Sequence, residues 1–311
     1  MLEHVQPVPD CAELLYGDGA IRRTSLYGSG VENTFGGTLS FLRRRYTRDI
    51  EGADVVVSGI PFDLASPFRP GARFGPAAIR ALSVMFSDLK PFPYGVDIFD
   101  ELAVADYGDC WLDAHSPAGI PDTIAEHARA ILASGATMLT LGGDSAITYP
   151  LLKAHAQRLG QALSLIRFGA HGIGPVHGPI DAERSVQIGL RSADAGPQDI
   201  QSLDARWVHA HGPQKTLERI LDVVGDRACY LSFDIGCLDP SAAPGTGRPL
   251  PGGLTSADAL HIVRGLAPAR LVGMDIVEVS PPYDRGDITA LVAANLALEM
   301  LCVLHRRKTG P

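Results

Sequence analysis

The chain has 311 residues, enough for one large α/β domain or two small ones. Hydrophobic residues make up 46% and charged residues 20%, which excludes a disordered chain and leaves material for a sizeable core. The net charge of −8, with lysine and arginine scattered, argues against a nucleic-acid partner, and five widely spaced cysteines without a CxxC pair give neither a disulfide framework nor a zinc knuckle.

A reducing cytoplasm fits this cysteine usage, and Met1 to Asp10 lacks the basic start and apolar run of a signal peptide. Residues 1–53 read as an arm or lid: Tyr16 to Gly37 is rich in Gly, Ser and Thr, and Phe41 to Arg48 crowds in basic residues expected on a solvated helix face or a subunit contact. From Asp54 on, within residues 54–311, short β-branched runs alternate with helical patterns, the sign of βαβ units around a mostly parallel sheet. In chain order the expected strands are 54–59, 103–107, 137–141, 162–168, 185–190, 228–233 and 270–277. The expected helices lie at 76–86, 122–132, 148–158, 213–224, 256–266 and 288–304. The last carries Leu291, Ala294, Leu298 and Leu301 at helical spacing, and reads as a buried helix too short to cross a bilayer comfortably, so no membrane contact is expected. The whole reads as one three-layer α/β/α sandwich.

Ligands of open parallel sheets sit at the carboxyl ends of the strands. Four segments there are expected to converge: Gly142-Gly143-Asp144-Ser145, Gly169-Ala170-His171-Gly172-Ile173, the run Asp234 to Pro240, and Glu278. Asp239 reads as a turn carboxylate before Pro240. Asp144, after two glycines, reads either as a helix cap or as a site residue. Cys110 and Cys237 read as inert packing thiols.

Together with Thr34 to Gly37, Arg69 to Pro76, Ala243 to Gly247, Pro251 to Thr255 and Leu298 to Leu301, these segments resemble the arginase/agmatinase family, the ureohydrolases, on the agmatinase side. The resemblance implies an arginase-like sandwich assembled as trimers or hexamers, and hydrolysis of a guanidino carbon by a hydroxide bridging two manganese or nickel ions, held by four Asp and two His. Position by position, Ser145 stands where the family has a His ligand, Gly169 and Ile173 where it has Asp ligands, and Gly236 where it has another. His171 and Asp234 are retained. Glu278 matches the carboxylate that grips the guanidinium, and His177 is a possible remnant of a substrate-side His.

A carboxylate and an imidazole cannot neutralise two dications. The expectation is therefore no metal and no cofactor in this chain, no confident catalytic residue beyond the relic positions Asp144, His171 and Asp234, and manganese or nickel in an intact partner subunit. Arg167 or Arg248 is expected to fill the vacated site as an internal cation, since unpaired buried carboxylates are costly. Three functions follow: a non-catalytic subunit assembled with a homologous ureohydrolase that opens a guanidino or biguanide C–N bond, as in heteromeric metformin-type hydrolases; an active agmatinase-like amidinohydrolase with an altered or mononuclear metal site; and a metal-free guanidinium sensor.

Overall fold

Nine parallel strands form the centre of the computed structural model, which describes residues 18–30, 32–86, 90–174, 178–193, 196 and 199–310. The strands are β1 (Arg45–Tyr46), β2 (Val55–Ile60), β3 (Val104–Asp109), β4 (Thr137–Gly142), β5 (Ser164–Phe168), β6 (Val186–Ile188), β7 (Gln201–Leu203), β8 (Ala228–Asp234) and β9 (Arg270–Val277). Their order across the sheet is β1-β3-β2-β4-β9-β8-β5-β6-β7. β2, β5, β6 and β8 are buried along their whole length, as parallel strands covered on both faces must be.

The helices are α1 (Gly19–Arg22), α2 (Gly75–Ser83), α3 (Ile120–Leu132), α4 (Thr148–Leu159), α5 (Ala205–Val224), α6 (Ser256–Arg264) and α7 (Ile288–Thr309). α3 and α4 pack on one face, where Ile124, Ile131, Leu151 and Leu152 meet Val56, Met138 and Leu165. The other face carries α2, α5, α6 and α7, with Ile79, Ile220, Ile262 and Leu301 over Val57, Leu139, Leu231 and Met274. The expected three-layer sandwich is the observed one.

Four differences from the sequence reading have physical causes. β1 and β7 are two and three residues long, too short to leave a periodic trace, and β1 joins the end of the arm to the sheet through Arg45 and Tyr46 beside β3. α5 begins at Ala205, eight residues before the expected start, because Asp204 caps it by accepting from Trp207 N at 2.7 Å; Gly212, at φ 79°, then absorbs the kink before Pro213. The basic run is not a solvated face: Arg43 and Arg44 are buried, and Arg44 stacks on Phe99 at 3.8 Å with burial pushing its pKa down to about 9. Finally, α7 has 22 residues and is long and apolar enough by composition to span a bilayer, but 78% of its most apolar stretch is buried within the protein, the mark of a core helix. Its Glu299 is buried and paired with Arg264 at 2.5 Å.

Candidate active site at the sheet rim

β4, β9, β8 and β5 are neighbours in the sheet, so the four segments singled out in the sequence emerge side by side at its carboxyl edge. After β4 the chain turns sharply under the loop that follows β2. A Cβ at Gly143 would lie 1.8 Å from the Phe62 carbonyl oxygen, so only glycine permits that approach. Asp144 N donates to Phe62 O at 2.7 Å, and the Asp144 carboxylate accepts from Ala146 N at 3.0 Å and Ala65 N at 2.9 Å. Asp144 is thus a cap as well as a rim residue, and burial raises its pKa to about 6.

Glu278 follows β9 with φ 69°, a left-handed conformation that costs a non-glycine residue about 1–2 kcal/mol. Its Oε1 accepts from Ser145 N at 2.8 Å. Burial, with Asp234 close by, raises its pKa. Ser145, expected at a lost ligand position, therefore serves here as a donor to Glu278.

Asp234 ends β8. Its Oδ1 accepts from Gly236 N at 2.8 Å, and its Oδ2 from Arg167 Nη2 at 3.3 Å, with both side chains nearly inaccessible to solvent. Arg167 sits on β5, two residues before Gly169. A Cβ at Gly169 would stand 3.3 Å from Arg167 Nη2 and 3.4 Å from Cζ, so the guanidinium lies directly beside the position from which a side chain at 169 would extend. Arg167 Nε and Nη1 have no hydrogen-bond partner. His171 is half-buried; its Nε2 donates to the Arg248 carbonyl at 3.3 Å, and burial lowers its pKa, followed by the effect of Arg248. The Arg248 side chain is exposed at the mouth. Ile173 is buried, with its N–H on Gln187 Oε1 at 3.0 Å. His177 lies outside the described residues.

A cavity of about 220 Å3 opens between these groups, lined by Asp144, Ser145, Arg167, Arg248 and Glu278, with Tyr149 and Ala65 among the other walls. Sequence reading missed Tyr149 and Ala65. Both lie just beyond strand ends, in α4 and in the loop after β2, so position at the carboxyl edge was the available signal. It also missed Arg191, which follows β6 and donates to the carbonyls of Gly189, Gly236, Cys237, Leu238 and Leu250, stitching down the 236–250 loop. Asp239, as expected, holds a turn: its carboxylate accepts from Ser241, Gly252 and Gly253, which lowers its pKa to about 2. Burial pushes the Cys110 thiol up to about 11 and Cys237 to about 12, so neither is a nucleophile at neutral pH.

Fold and rim together define a three-layer α/β protein of the arginase type, with its candidate site at the ends of four central strands. The Arginase family profile matches residues 53–172 and 175–302, and the chain belongs to that family. It is 53% identical to an agmatinase of Chromobacterium violaceum, over 96% of this chain and 98% of that one. A crystal structure of a hypothetical agmatinase from Burkholderia thailandensis, 56% identical, superposes with a TM-score of 0.92 over 95% of this chain and all of that one. Proclavaminate amidino hydrolase from Streptomyces clavuligerus, 32% identical, gives 0.81 over 88% and 99%.

These matches correct one expectation. A chain so close to agmatinases over nearly its whole length groups with metal-dependent enzymes, which overturns the assignment of manganese or nickel to a partner alone and of no cofactor to this chain. Nor do they support a silent, hetero-oligomeric relative. The side chains nevertheless do not fit a two-ion centre. Asp234 has its oxygens on Gly236 and Arg167, His171 is engaged by a carbonyl, and no group of three or more His, Cys, Asp or Glu among the described residues is placed to hold an ion. Kinship and donor chemistry disagree at this rim.

Proposed function

We propose that the chain is an agmatinase-type amidinohydrolase with an altered metal site, acting on a C–N bond of a small guanidino compound seated in the rim cavity. Glu278 carries this reading. A half-buried carboxylate at the cavity wall, on left-handed backbone, is doubly unfavourable, and such strain persists where a ligand uses it. One oxygen is fixed by Ser145 N, so the carboxylate is held in one orientation beside the cavity, where a guanidinium would supply charge-assisted N–H donors. Asp144 stands on the same wall.

The test is urea release from agmatine, arginine and short alkylguanidines by the purified chain supplied with manganese or nickel, with bound metal counted per chain. Release from at least one of these is expected, and its loss in Glu278→Gln at unchanged metal content. No release from any, with or without metal, contradicts the reading.

One observation favours a second reading. Arg167 already pairs with Asp234, as a rim without a working hydrolytic centre would require, which suits a subunit that completes an oligomer with a homologous ureohydrolase. Co-expression separates the two: activity that appears only in a mixed assembly supports the second reading, and activity of the chain alone supports the first.

A further inference from the structure

We propose that Arg167 is the donor to the carbonyl oxygen of a urea-type ligand in the rim cavity, the C=O that hydrolysis makes of an amidino carbon when urea is released and that an N-alkylurea also presents. The inference rests on the reading of Glu278 as the acceptor of the ligand's N–H groups.

Arg167 is buried at 2% exposure, yet only Nη2 has a partner, Asp234. Nε and Nη1 are without one in a part of the protein where N–H groups are almost always satisfied. The side chain lines the same cavity as Glu278 and Asp144. It is kept in place by the Asp234 pair and lies against Gly169, where a Cβ would crowd the guanidinium at 3.3 Å. Across one small cavity, then, carboxylate oxygens seek donors and guanidinium N–H groups seek an acceptor.

A guanidinium ligand offers donors only, and its charge is of the same sign as Arg167. A ureido group offers N–H donors to Glu278 and a carbonyl oxygen to Arg167, and is neutral. The arrangement therefore distinguishes C=O from C=NH2+ at one atom of the ligand, in the manner of donors preorganised toward a developing oxygen.

Calorimetric titration of the full chain with an N-alkylurea and with the alkylguanidine of the same chain length tests this. Arg167→Met should weaken the urea about tenfold, the value of a hydrogen bond from a charged donor, while the guanidine changes less than threefold or binds more tightly. Arg167→Lys, which keeps a cation for Asp234 but not the Nε and Nη1 donors, should weaken the urea as well, and serves alone should the Met variant fail to fold. Parallel loss of both ligands, no change in either, or no uptake of the urea by the unaltered chain would overturn the proposal. Glu278→Gln separates the underlying reading: both ligands should weaken, and if neither does, it is the assignment of Glu278 that fails.

Discussion

Two arginines flank the same rim, and they are built into it in opposite ways. Arg191, just past β6, spends its donors on five backbone carbonyls of its own turn and of the 236–250 loop. Arg167, on the adjacent strand β5, is more deeply buried and makes one hydrogen bond, with two donor atoms left over. A satisfied buried cation holds structure together, while one with unmet donors lowers stability and marks a place where something else is meant to bind. Asp275 shows the satisfied arrangement among the carboxylates. It lies one layer beneath the rim and accepts from Ser232 Oγ at 2.7 Å, Thr148 Oγ1 at 3.0 Å and Tyr230 OH at 3.1 Å.

The largest effect expected from this contrast is in Arg191→Met. Removing the shared donor from five carbonyls should destabilise the protein by about 3–5 kcal/mol in denaturant unfolding, and Arg191→Lys should recover little, since a point cation cannot span the same set. A cost below about 1 kcal/mol would break the comparison.

His155 sharpens it from another side. Its Nε2 is also buried without a partner, near Gly273 and the Tyr230 ring, but burial pushes its pKa down to about 4 and the ring sheds its charge, an escape closed to arginine. The unfolded chain takes up the proton near pH 6.5 and the folded one only near 4, so His155 withdraws stability as pH falls through that window, by up to about 3 kcal/mol. Unfolding of His155→Gln and the unaltered chain at pH 7 and pH 4 should show the difference moving in the variant's favour on acidification. A difference independent of pH would contradict the assignment.

Smaller effects are expected at the rim. Glu278→Gly removes a half-buried carboxylate and relaxes φ 69°, and should leave stability unchanged or raise it by about 1 kcal/mol while abolishing ligand binding, the trade expected of a functional residue. Smallest is the double variant Arg167→Met/Asp234→Asn. Replacing both members of the buried pair leaves no uncompensated charge and should change stability by about 1 kcal/mol or less in either direction, whereas Arg167→Met alone leaves Asp234 unpaired and costs more. A loss in the double variant as large as that in Arg191→Met would show the pair to be structural.

Much of this was legible in the sequence. Alternating β-branched runs and helical periods located seven strands and the six long helices, and the rule that ligands lie at carboxyl ends of parallel strands brought Asp144, His171, Asp234 and Glu278 together. Arg167 stood out as a charge inside an apolar strand on the face of Gly169. What could not be read was the state of its donors, because satisfaction depends on atoms from β8 and from a cavity wall that periodicity does not reveal. Arg191 was invisible for the same reason: four of its five acceptors are backbone carbonyls some fifty residues away, which no side-chain pattern encodes. The buried Arg43 and Arg44 misled because a basic run is ordinarily solvated, and here Phe99 and nearby backbone carbonyls take that role.

The most direct measurement is a crystal structure of the chain with a bound N-alkylurea. The account predicts the ureido N–H groups on Glu278 and the ureido oxygen about 3 Å from Arg167 Nε or Nη1, with the Arg167–Asp234 pair kept. A ligand seated elsewhere, or an Arg167 whose free donors still face no ligand atom, would contradict it.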